Sequence, residues 1–141
     1  MNSRLNMALR EKSGIAYNIE SIYTPYFGTG VFSIYYGTDE QNINRSLRII
    51  HREMARLRDQ KLGNMQLHKA RRQLKGQITI SAENRENLML NIGKSFLLYN
   101  KVESLEDLYR KIDNISASDL LEIANEIFDE KQLSYLIYEQ S

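Results

Sequence analysis

The chain has 141 residues, 42% hydrophobic and 26% charged, with one proline and no cysteine. It is too apolar for a disordered segment and short enough to fold around one core as a single domain. Nineteen Lys and Arg offset eighteen Asp and Glu, leaving a charge of +1 that disfavours a nucleic-acid binder of the usual basic kind. The lack of cysteine removes disulfides, a thiol nucleophile and thiolate metal ligands. His51 and His68 are too few for a histidine-rich zinc site. Ser21 to Thr38 carries no formal charge, but Pro25, Gly28, Gly30 and Gly37 interrupt it, so it is no membrane-spanning helix.

The chain opens as if inside an element. Leu5, Ala8 and Leu9 share one face of a short helix, which Gly14 ends as a left-handed cap. No strand or loop precedes it, which points to a piece excised from a longer protein. From Ile15 the period changes to two. Ile15, Tyr17, Ile19, Ser21 and Tyr23 alternate with Ala16, Asn18, Glu20, Ile22 and Thr24, as in a half-buried strand. Thr24 to Gly30 is rich in Pro and Gly and reads as an open loop, too long for a two-residue turn. Val31 to Tyr36 is a second strand, so the two form an antiparallel hairpin.

Thr38 with Gln41 reads as the capping box of a long helix, whose buried stripe is Ile43, Leu47, Ile50, Met54 and Leu57. A second helix after Gly63 turns Leu67, Ala70, Leu74 and Ile78 inward. A third, from about Asn84, turns Leu88, Ile92 and Phe96 inward, with Gly93 allowing close approach of a neighbour. Ser104 with Asp107, and Ser116 with Asp119, cap two shorter helices. Leu133, Tyr135 and Ile137 alternate with Ser134, Leu136 and Tyr138 in a last strand, which must join the hairpin's sheet to pair its backbone. The order of elements predicts an α+β fold, an antiparallel or mixed sheet with helices packed on one face, truncated at its N-terminus.

Three groups of residues could carry function. Arg10 in the last turn of the first helix and Tyr17 in the following strand flank the Gly14 turn. Together they offer two donors and no base, a set suited to a carbonyl oxygen gaining negative charge. The plain alternative is an arginine favouring the helix dipole and a tyrosine packed in the sheet. Tyr23, Tyr26, Phe27, Phe32, Tyr35 and Tyr36 form an aromatic cluster that either binds an extended peptide along a strand edge or packs across strands. Arg45, Arg48, Arg52 and Arg56, with Lys69, Arg71, Arg72 and Lys75, either contact phosphates or form a solvated, salt-bridged face.

The segment Ser3-Arg4-Leu5, followed by Leu9-Arg10-Glu11-Lys12-Ser13-Gly14-Ile15-Ala16-Tyr17, resembles the C-terminal domain of the insulinase/pitrilysin-like zinc peptidases, a family that includes mitochondrial processing peptidase. Ser33-Ile34-Tyr35-Tyr36-Gly37-Thr38 is similar to that family's second strand and helix cap. Ala70-Arg71-Arg72-Gln73-Leu74-Lys75-Gly76 is similar to its Ala-Lys-x-Gln-Leu-Lys-Gly helix. Ser81-Ala82-Glu83-Asn84 and Ser116-Ala117-Ser118-Asp119-Leu120 resemble its later turn and helix start.

The resemblance implies a half-enzyme, one C-terminal half-domain spanning residues 1–141. The family pairs a zinc-bearing half with a second half of the same fold, and the two enclose an unfolded peptide. The zinc half carries an inverted His-x-x-Glu-His helix, and neither His51 nor His68 stands in such a motif here. The resemblance therefore implies no metal or cofactor in this chain and zinc in the partner half, on the same chain or another subunit. It implies a peptide substrate contacted by Arg10 and Tyr17, and inactivity of this chain alone. The alternative is a catalytically inactive scaffold or assembly subunit of the same family. No nucleic-acid or membrane partner is expected. An exposed sheet edge, left where the family's preceding strand is absent, would favour self-association of the piece.

Overall fold

The computed structural model describes residues 3–138. The elements in order are a π-helix Asn6–Glu11, strands β1 (Ile19–Tyr26) and β2 (Thr29–Tyr36), a 3₁₀ turn Glu40–Asn42, helices α1 (Ile43–Asp59), α2 (Asn64–Glu83), α3 (Arg85–Tyr99), α4 (Leu105–Asn114) and α5 (Ala117–Ile127), and a 3₁₀ turn Glu130–Gln132. They fall into two compact units, one of Met1–Gln60 with Leu121–Ser141 and the other of Lys61–Leu120.

In the first unit, β1 and β2 pair antiparallel with Ile19 opposite Tyr36 and Tyr26 opposite Thr29. Period two places Ile19, Ser21 and Tyr23 on one face with Tyr36, Ile34 and Phe32. Ile19, Ile34 and Tyr36 from that face pack against a core of Ala8, Leu9, Ile15, Ala16, Ile49, Ile50 and Met54. Phe32 meets Phe128 edge-on, with ring centroids 5.2 Å apart. Leu9 has no exposed surface and anchors the first helix to this core. The end of α1 is tied to the segment after α5. Arg58 donates to Phe128 O at 2.9 Å and pairs with Glu130 at 3.2 Å. Asn125 donates to Arg58 O at 3.0 Å.

The hairpin is tighter than the sequence suggests. Tyr26 pairs with Thr29, so the loop is two residues, Phe27 and Gly28, and not the open Thr24–Gly30 connection. Gly28 has φ +77°, the positive value that a type II turn requires at its third position. Pro25 is tolerated within β1. Because Tyr26 and Thr29 close the turn, alternation makes Pro25 opposite Gly30 a non-hydrogen-bonded pair, which needs no N–H from proline. Gly30 leaves room for the Tyr23 ring, which a Cβ there would strike.

The expected third strand is not formed. Among the described residues the sheet has two strands, and residues 133–138 carry no strand pairing. Leu133 instead packs on the core, and the Tyr135 hydroxyl lies 2.8 Å from His51 Nε2. The unpaired side of β2, the apolar side of α1 and residues 132–138 border a groove of about 1520 Å³. A strand forms only beside another strand edge, and among the described residues no strand pairs with this segment.

The second unit is held differently. Asn84 accepts from Glu86 N and Asn87 N at 3.0 and 3.1 Å and so caps α3. Ser104 caps α4 by accepting from Asp107 N at 3.1 Å. Ser116 and Asp119 form a reciprocal capping box, as their spacing indicates. The stripes expected to be inward are buried only at Leu67, with Ile78 half-buried. Ala70 and Leu74 of α2 are exposed, and so are Leu88, Ile92 and Phe96 of α3. Among the described residues nothing comes within 4 Å of the place a Cβ would take at Gly93, so they do not form the expected close helix contact there.

Candidate functional site

The first helix is built on bonds one residue longer than those of an α-helix. Lys12 N donates to Met7 O at 3.0 Å, five residues back. Such π geometry is uncommon and recurs at functional sites. Its close is equally wide. Gly14 N bonds Arg10 O and Ile15 N bonds Leu9 O, both at 3.0 Å, each one residue longer than in the usual Schellman ending. Gly14 takes φ +61°, as its sequence position suggested. The turn then drives Ile15 and Ala16 into the core beside Leu9.

Arg10 and Tyr17 flank this buried anchor and are themselves exposed. The Arg10 side chain is 57% exposed, with Nε 3.9 Å from Glu11 Oε1. Tyr17 is 68% exposed, so packing in the sheet does not account for it. Its backbone is fixed: Tyr17 N donates to Gly37 O at 3.0 Å, and Gly37 N to Asn18 O at 3.1 Å. The Thr38 hydroxyl donates to Ile15 O at 2.5 Å. Thr38 is therefore not the cap of the long helix, as its spacing with Gln41 suggested. Its side chain is drawn to the lead-in of β1.

The Tyr17 hydroxyl donates to Asp39 Oδ1 at 2.6 Å. This hydrogen bond, followed by the negative charge of Asp39 and by desolvation, raises the phenol's pKa above its ordinary value. Tyr17 therefore keeps its proton across the neutral range, with that proton directed at Asp39. Sequence reasoning missed Asp39. It lies 22 positions away, and only the hairpin register brings the two together.

The other candidate groups are partly engaged in packing and ion pairs. Of the aromatic cluster, Phe32 packs on Phe128, Tyr36 OH lies 3.0 Å from the buried Ser46 Oγ, and Tyr23 covers Gly30. Tyr23, Tyr26, Phe27 and Tyr35 are nonetheless exposed. Of the basic residues, Arg56 and Arg52 flank the buried Glu53 carboxylate at 2.7 and 3.7 Å. Arg71 donates to Ile115 O, and Lys75 pairs with Asp113 beside the Tyr109 ring. Among the described residues no group of three His, Asp or Glu could hold a metal ion, so the donor set does not fit zinc. No helix among them is long and apolar enough to cross a membrane.

Comparison with known proteins bears on the same segment. A family profile described as the peptidase M16 inactive domain matches residues 1–74, which include Arg10 and Tyr17. A protein named an uncharacterised zinc protease from Rickettsia bellii is 32% identical over 97% of this chain and 33% of its own length. A protein named uncharacterised zinc protease YmxG from Bacillus subtilis is 27% identical over 97% of this chain and 34% of its own length. The β subunit of mitochondrial-processing peptidase from Saccharomyces cerevisiae is 25% identical over 94% of this chain and 29% of its own length. The chain thus spans about a third of the curated relatives it matches. A chain of complex III from Candida albicans superposes with a TM-score of 0.79 over 89% of this chain and 30% of its own, at 19% identity, which shows a shared fold. With the profile covering just over half of its residues, the chain belongs to the peptidase M16 family, matched through that family's inactive domain.

Proposed function

We propose that this chain is a C-terminal half-domain that binds peptide and completes the site of a zinc endopeptidase. The observation that carries the proposal is the placement of Arg10 and Tyr17. Two exposed donor side chains flank a buried Leu9–Ile15–Ala16 anchor, within the segment matched by the family profile. The zinc-bearing half lies elsewhere on the same chain or on a second subunit, and its metal would polarise the attacking water. On this side, the Arg10 guanidinium and the Tyr17 phenol orient the scissile carbonyl and stabilise the negative charge that builds on its oxygen. Donors aimed at developing charge act in the transition state more than in the ground state, which is what accelerates a reaction.

No group among the described residues could hold the metal, and on this reading the chain alone would not hydrolyse peptides. The unpaired edge of β2 gives a second copy a surface for pairing when the chain is isolated. Sedimentation showing a monomer at every concentration would remove that part of the proposal.

The test uses the full-length protein together with its zinc-bearing half. Cleavage of an unstructured fluorogenic peptide should be abolished by chelator. It should fall by ~100-fold or more in Arg10→Ala and in Tyr17→Phe. An active protein that both substitutions leave unchanged would return the chain to the role of a scaffold.

A further inference from the structure

A phenol carries one proton, and at Tyr17 that proton is already engaged. An ionised carboxylate only accepts, so the 2.6 Å bond to Asp39 is made with the Tyr17 hydrogen. The same hydrogen is the one a substrate carbonyl would need. In the conformation described here, Tyr17 can offer an incoming carbonyl only lone pairs.

The backbone sets this arrangement. The paired bonds between Tyr17, Asn18 and Gly37, with the Thr38 hydroxyl on Ile15 O, fix the two segments that carry the phenol and the carboxylate. A Cβ built at Gly37 would sit 3.9 Å from Tyr17 Cδ2, so the ring lies along this glycine. Asp39 also occupies the N-cap position of the 3₁₀ turn, yet its side chain makes no capping bond. An aspartate at that position ordinarily serves the helix. Here its carboxylate is turned to Tyr17.

We propose that Asp39 is a positioning residue that parks the Tyr17 hydroxyl and competes with the substrate carbonyl for its proton. This rests on the carbonyl-contact role of Tyr17 argued above and deepens it. When substrate enters, the Tyr17–Asp39 bond opens and the hydrogen passes from one acceptor to the other, with no change in covalent bonding. Only the fraction of molecules with the bond open is competent, so apparent affinity for the carbonyl is reduced by that fraction. Asp39 is exposed, and its substitution removes no buried contact.

The test is a mutant cycle on the full-length protein with its zinc-bearing half. Asp39→Ala should raise kcat/KM by roughly three- to tenfold, with Asp39→Asn, a weaker acceptor of the same shape, in between. In the Tyr17→Phe background, Asp39→Ala should change nothing, because the proton it competes for is gone. Labelled-tyrosine NMR on the same protein should show the Tyr17 phenol titrating lower in Asp39→Asn than in wild type. A kcat/KM that is unchanged or lowered in Asp39→Ala, while Tyr17→Phe remains impaired, overturns the parking role and leaves the carbonyl contact in place. An unimpaired Tyr17→Phe overturns the carbonyl contact and this inference with it.

Discussion

The two units form helices for different reasons. In the first, tertiary burial dominates. Leu9 is fully enclosed, and Ile49, Ile50 and Met54 of α1 meet the π-helix and the inner face of the hairpin. In the second, among the described residues, only Leu67 of α2 and Ile112 of α4 are buried, and α3 has no buried residue. What fixes its elements is polar: the local Asn84, Ser104 and Ser116 caps, the Lys111–Glu103 ion pair, and the Lys75–Asp113 ion pair that ties α2 to α4. An apolar stripe at helical spacing therefore identifies a face that can be covered. It does not show that the face is covered.

This contrast can be broken by mutation. Leu9→Ala removes the enclosed anchor of the first unit and should cost about 2–5 kcal/mol in denaturant unfolding. Gly28→Ala places a side chain at φ +77° in open space, so its cost is backbone strain alone, about 1–2 kcal/mol. In the second unit the sensitive positions should be caps. Ser104→Ala should cost about 1 kcal/mol and fray α4 first, visible as faster amide exchange there. A burial-like loss at an apolar residue of α3 would contradict the comparison. Leu97, 85% exposed, should change stability by no more than about 0.5 kcal/mol when replaced by alanine.

Acid should separate the units as well. The Ser104 hydroxyl holds the Asp107 carboxyl below its ordinary pKa, the Ser116 backbone N–H does the same for Asp119, and Lys111 with Lys101 does so for Glu103. A carboxyl with a lowered folded pKa stabilises the fold above its unfolded value, and that stabilisation is lost as pH falls through the lowered value. Amide shifts of α4 and of the first turn of α5, Ala117 to Leu120, should therefore move towards frayed values as pH drops below the usual carboxylate range. Methyl signals of Leu9 and Ile50 should hold. Loss of the core signals first would reverse the assignment of what holds each unit.

What was legible in the sequence follows the same division. Ser104 with Asp107 and Ser116 with Asp119 read correctly because each cap lies within three residues of its partner. The Gly14 turn read correctly for the same reason. Pro25 and Gly30 made the hairpin connection look open, because a proline inside a strand is admissible only in a register that the sequence does not display. Leu133 to Ile137 has the alternation of a strand, but pairing is a property of two segments. The α3 stripe failed because period reveals amphipathicity and not its partner. Arg10 and Tyr17 are candidates singled out through family resemblance. Asp39 is not among them, since a 22-residue separation becomes a contact only through the β1–β2 register and the bridge at Gly37.

The measurement that tests the central claim most directly is the division of the Tyr17→Phe defect between kcat and KM, in the full-length protein with its zinc-bearing half. A donor aimed at charge that develops on the carbonyl oxygen acts chiefly in the transition state. The account predicts that kcat falls by ~100-fold while KM stays within about threefold of wild type. A defect confined to KM, with kcat retained, would make Tyr17 a ground-state peptide contact and contradict its role at the carbonyl.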